Sequence, residues 1–182
     1  HSSEGWVDTF WLGAYWRRVF DEVGFFCPEL TRQEDNEFYA RLRAHGYGTY
    51  LSPKIRAYYC PRRDLRGLWR QNFANGVGVM QTLFVNRQAL SLRHFVPFLF
   101  VTSLLGSLFI APFHILGKIA LGAIAVAYSL GCIVFSLQIG LKHGLGYAAL
   151  MPFVFFTIHL SYGLGSLWGL AKFGSYQLLG KT

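Results

Sequence analysis

From residue 95 onward the chain is almost entirely apolar, and three stretches stand out: 95–117, 119–140 and 147–170. Each runs for about 20 residues or more, and at about 1.5 Å per residue each reaches across a hydrocarbon core of roughly 30 Å. The pattern predicts about three transmembrane α-helices. Pro97, Pro112, Pro152, His114, His159 and several glycines interrupt the stretches. Membrane helices tolerate such residues where neighbouring helices satisfy the freed backbone groups. His159 is an ionisable group inside a span, which points either to a functional role or to a hydrogen bond between helices near Tyr162. Gly163, Gly165, Ser166 and Gly169 suit close helix packing.

Before residue 95 the periodicity changes. Positions 6–15, with Val7, Thr9, Phe10 and Trp11, predict a strand, and 15–23 have helical spacing that stops at Gly24. A second helix is expected from Thr31, whose hydroxyl with Glu34 forms a capping-box pattern, through Phe38, Tyr39 and Leu42 to His45-Gly46. Residues 48–60 are β-like, with Pro53 confining them to an edge or a bulge. Residues 1–60 thus look like the later part of an α/β domain, too small for a sizeable core of its own. Within 61–94, Leu65, Leu68, Trp69, Phe73, Val77, Met80 and Phe84 make an apolar stripe behind Asp64, a possible N-cap. This amphipathic helix is expected in the membrane interface, with its polar face toward the preceding domain; a surface helix packed on that domain is the competing reading.

Charge sharpens the division. The chain carries 17 Lys and Arg against 9 Asp and Glu, a net +8, and only 14% of its residues are charged. Average soluble domains carry about 25%. All nine carboxylates precede residue 95, and the last segment, 95–182, holds just Lys118, Lys142, Lys172 and Lys181. Disorder and disulfide-scaffold classes are excluded by the 53% hydrophobic content and the three scattered cysteines. Arginines before the first apolar stretch place 1–94 on the cytosolic side of a cell's inner (plasma) membrane in a multi-pass arrangement. Three crossings then leave Lys172 and Lys181 outside, which points to a partly re-entrant final stretch. Half of the positive excess belongs to the membrane region, so nucleic acid is not the expected partner. No Cys/His spacing fits a metal.

Asp35 draws attention among the carboxylates. It lies three residues before Phe38 and seven before Leu42, so on a helix it shares their apolar face. A partly desolvated Asp beside a hydroxyl is what general-base catalysis needs, and a helix-terminus role in the α-helical dipole is the plainer alternative. Glu34 is accounted for as the capping partner, and Glu37 as an outer-face partner of Arg41.

Glu34-Asp35, followed by Phe38, Arg41-Leu42 and Gly46-Tyr47, resembles the E-D-x-x-[FL]-x-x-R-L-x-x-x-G-[YF] signature of family 2 inverting glycosyltransferases. Residues 13–25, then 58–65, 69–76 and 91–97, resemble more narrowly the membrane-bound succinoglycan type that builds bacterial exopolysaccharide. The resemblance implies a partial GT-A domain in 1–60, an interfacial helix and linker in 61–94 and the membrane helices in 95–182. It implies Asp35 as general base, with Glu34 supporting, removing a proton from an acceptor hydroxyl that attacks a nucleotide-activated sugar. Arg70 with Phe73 falls where processive relatives carry Q-x-x-R-W, but Trp69 replaces the glutamine, Asn72 the arginine and Phe73 the tryptophan, which favours single-sugar addition to a lipid-linked or glycan acceptor. Arg62, Arg63 and Arg70, with Trp69 and Phe73, would bind substrate and its diphosphate, as arginine forks do; anionic lipid head groups are the alternative ligand.

No D-x-D motif occurs, and Asp35 and Glu37 are an i,i+2 pair on a helix. The nucleotide-sugar donor and its divalent cation (Mg or Mn) are therefore expected in a longer parent protein, with none bound by this fragment alone. A non-enzymatic module that anchors or assembles membrane machinery through a basic interfacial domain is the second reading of the same features.

Overall fold

The computed structural model describes residues 4–9 and 13–178, with side chains described as far as residue 175. Phe10, Trp11 and Lys181, which entered the expectations above, lie outside the described residues. The architecture is mainly helical. Strand β1 (Gly5–Val7) pairs antiparallel with β2 (Thr49–Leu51), Trp6 opposite Tyr50, and these three-residue strands are the sheet. The strands expected over 6–15 and 48–60 are thus much shorter, with β2 ending before Pro53.

Between the strands lie helices α1 (Arg17–Val23) and α2 (Glu34–Ala44). Helix α1 ends at Gly24, whose φ of 84° is a left-handed conformation that a side chain would strain. Helix α2 does not use the expected capping box. Its N-cap is Gln33, at φ 65°, and Thr31 lies outside the helix. The left-handed residue turns the chain between Arg32 and the Glu34-Asp35 pair. Val19, Val23, Phe38, Tyr39 and Leu42 form the core of this unit, with Tyr15, Phe20 and Tyr47 packed against it. Phe38 meets Phe26 at 4.7 Å and Tyr15 at 5.2 Å between ring centroids, arrangements that add to simple area burial.

Helix α3 (Leu65–Val85) starts where expected, with the Asp64 carboxylate accepting from the Gly67 N–H at 2.5 Å. Two 3-10 turns, Arg87–Ala89 and Leu92–Phe95, lead into α4 (Val96–Ile110). Helices α5 (Ile115–His143) and α6 (Leu145–Leu178) complete the chain. Three segments, Leu92–Ile110, Ile115–His143 and Leu145–Ser175, are long and apolar enough to cross a membrane. Only 11–17% of each is buried within the chain, which leaves their apolar outer faces for lipid. The first expected span is shorter than 95–117, because a turn at 111–114 assigns its last residues to α5. The partly re-entrant final stretch is not found: α6 is one continuous helix through Pro152. At about 1.5 Å per residue it is about 50 Å long.

Helix α3 runs parallel to α6, since Phe73 lies against Gly165, Val77 and Met80 against Gly169, and Phe84 near Gly174. Glycine makes this possible. A Cβ on Gly76 would collide with the Tyr162 carbonyl, and one on Gly165 with that of Phe73. From Phe73 to Phe84 the apolar stripe of α3 therefore meets α6, where the sequence pattern placed it against lipid. The other side of α3 faces the N-terminal unit: Gly78 touches Arg32, Gln81 donates to the Glu29 carbonyl at 2.6 Å, and Asn86 donates to Glu37 at 3.1 Å. Gly163 packs on α4 at Pro97 and Val101, and Gly140 of α5 packs on Ala148 of α6. His159 does bridge helices, but its partner is the Tyr128 hydroxyl of α5 at 3.1 Å, not Tyr162.

Candidate functional site

The first turn of α2 carries Glu34 and Asp35, and both are exposed. The face assigned to Asp35 is geometrically sound, but the core closes one turn further along, where aromatic rings cover Phe38. Asp35 therefore stands at the rim in water, and its Oδ1 accepts from the Asn36 N–H at 2.8 Å. It lies close enough to Tyr15 for its charge to act there. Burial pushes the Tyr15 phenol above its ordinary value, and the Asp35 charge adds to the rise. Tyr15 in turn donates to the Tyr39 hydroxyl at 2.8 Å.

Glu37 takes the buried place. Only 4% of it is accessible, against the outer-face position expected. Its two oxygens accept from Arg41 Nε at 2.9 and 3.0 Å and one also accepts from Asn86. Arg41 donates further to the Val23 and Phe25 carbonyls at 2.6 and 2.7 Å, closing the end of α1. The i,i+4 pair was visible in the sequence. The chain after α3, which covers it, was not.

Beside α2, the side of α3 that faces the N-terminal unit forms an open cleft of about 270 Å³ lined by Arg32, Arg62, Gly67, Arg70 and Gln71. Arg62 Nε donates to Gln71 at 3.3 Å, and Gln71 donates to the Tyr59 hydroxyl at 3.2 Å. Among the described residues the ion pairs are Arg17–Asp21 and Arg41–Glu37, so the three cleft arginines have no carboxylate partner. Of the five residues expected to bind substrate, Arg62 and Arg70 come together here. Arg63 is exposed outside the lining, while Trp69 and Phe73 are half-buried, the Phe73 backbone against α6. Arg32 joins the cleft unforeseen. Unpaired guanidinium groups converging on one cavity favour an anion with several oxygens, a phosphate or diphosphate above all.

Among the described residues further cavities lie elsewhere, including one of about 290 Å³ around Tyr15, Trp16 and Tyr50. One of about 660 Å³ is lined by Trp6, Asp8, Arg43, Tyr47 and Arg93 among others, and one of about 400 Å³ lies between α5 and α6 around Tyr128, Cys132 and His159. For the divalent cation implied by the resemblance, no three His, Cys, Asp or Glu side chains gather among the described residues. Comparison with known proteins gives no match: no family model, no curated protein and no solved structure is similar to the chain.

Proposed function

We propose that the chain is the acceptor-side and membrane-anchoring part of a family 2-type glycosyltransferase. In this reading it works within a longer polypeptide whose β-α-β units hold the nucleotide sugar, at the cytoplasmic face of an inner membrane. The observation that carries the reading is the cleft of three unpaired arginines beside the Glu34-Asp35 turn. Arg32 and Asp35 are three residues apart, so their Cα atoms are separated by at most about 11 Å. A diphosphate held by the guanidinium groups and a hydroxyl held by the carboxylate then share one reaction space.

Asp35 takes the proton of the acceptor hydroxyl as its oxygen bonds to the anomeric carbon. The bond from that carbon to the nucleoside diphosphate breaks, which inverts the configuration. The carboxylate gains its desolvation from the bound acceptor. Glu34, on the same turn, supports the position of that acceptor. A lipid-linked acceptor fits the reading, because the same unit is docked on helices suited to a bilayer.

Membranes containing the whole protein, supplied with labelled nucleotide sugars, test the proposal by transfer of label to lipid. Asp35→Asn is expected to lower turnover by about 10²- to 10⁴-fold, the range of a lost general base. Arg32→Gln should weaken apparent acceptor affinity by about tenfold or more, the loss of a charge-assisted hydrogen bond. Near wild-type turnover in a correctly inserted Asp35→Asn protein returns Asp35 to a helix-terminus role and overturns the proposal.

A further inference from the structure

Every residue from 53 to 66 is exposed, and the run has no helix or strand before α3 begins. It carries Lys54, Arg56, Arg62, Arg63 and Arg66 against one carboxylate, Asp64, which is engaged in capping α3. Interleaved with the charges are Ile55 at 74% exposure, Tyr58 at 91% and Leu65 at 45%. Large apolar side chains held in water beside unpaired cations are costly unless a second surface covers both.

The helices say where this run lies. Helix α3 is parallel to α6, and α4 is parallel to α6 as well, because short turns fold α4 on α5 and α5 on α6. Phe73 lies against Gly165, and Pro97, the second residue of α4, lies against the neighbouring Gly163. The start of α3 therefore lies toward the start of the first apolar helix, α4. Arg93, just before α4, lies at the same level, whereas the end of α5 reaches further along α6, where Gly140 packs on Ala148.

We propose that residues 53–66 form an interfacial strap that docks on an anionic lipid surface, Lys54, Arg56, Arg63 and Arg66 meeting lipid phosphates while Ile55, Tyr58 and Leu65 enter the headgroup boundary. Charge complementarity selects an anionic surface over a zwitterionic one, at about a fivefold factor in partitioning for each basic side chain near it. Tyrosine is suited to this depth, with an apolar ring and a polar tip. None of the four cations lines the arginine cleft, so the inference does not rest on the transferase reading.

Hydrogen exchange of the whole chain in lipid nanodiscs tests it. Among the described residues one amide of the run donates to a backbone carbonyl, Ile55 N–H to Ser52 just before it, so its amides have little protection of their own. Exchange over 53–66 is expected to slow by about tenfold or more in phosphatidylglycerol-containing discs relative to phosphatidylcholine discs, and to return to the fast rate in 0.5 M salt (about a 4 Å screening length). A K54Q/R56Q/R63Q/R66Q variant should lose the difference while its apolar helices stay protected. Equal exchange in the two lipids, or protection unchanged in the variant, overturns the proposal. Protection by soluble polyphosphate in phosphatidylcholine discs without protection by phosphatidylglycerol also overturns it, in favour of a soluble polyanion.

Discussion

The N-terminal unit and the helices that follow it are held together by different physics. The unit relies on a few aromatic contacts and one buried polar clamp, Glu37 with Arg41 and Asn86. Among the long helices the contacts are backbone against backbone at glycines, and most apolar side chains point away from the protein. One region depends on particular charged atoms and the other on the absence of side chains. A change of a single carboxylate is therefore serious in the first, and an added Cβ is serious in the second.

Removing the clamp should separate the two regions most sharply. Glu37→Ala leaves Arg41 buried beside the α1 carbonyls without its partner, and is expected to cost about 3 kcal/mol. That is the low end for a buried pair, because 24% of the Arg41 side chain remains accessible. The exposed pair Arg17–Asp21 is the comparison, and Arg17→Ala should cost under about 1 kcal/mol. Thermal melts in detergent check both; similar small losses would mean that the clamp does not hold the unit.

On the helix side, Gly76→Leu is expected to destabilise by about 2 kcal/mol or to part α3 from α6, since the Tyr162 carbonyl occupies the space. A Cβ on Gly122 meets nothing within 4 Å, and Gly122→Ala should not destabilise the protein. Proteolysis within α3 that is fast in the first variant and slow in the second is the expected reading. Asp64→Ala removes the α3 cap and should cost about 1 kcal/mol, seen as faster amide exchange in the first turn of α3 alone.

The helices suited to a membrane were legible because about 20 apolar residues in succession leave few alternatives, and Asp64 was legible because a cap acts within its own turn. What failed was depth. Helical spacing gave Asp35 the face of Phe38 and Leu42, yet the covering rings begin at Phe38, so Asp35 is wet. The same spacing put Glu37 outside, and the turn at Arg87–Ala89, fifty residues later, closes over it. Arg32 gave no local signal for the cleft. Its place is set by packing on Gly78 of α3, a contact between segments distant in sequence.

Helix α6, at about 50 Å, is much longer than a hydrocarbon slab of about 30 Å. Tilting is one of the ways in which a helix longer than the slab fits it. Because α3 is locked parallel to α6 through Gly76, Gly165 and Gly169, it turns through the same angle, and the arginine cleft beside α3 turns with it. Any tilt of α6 is thereby handed on to the cleft, so the two keep a fixed angle to each other.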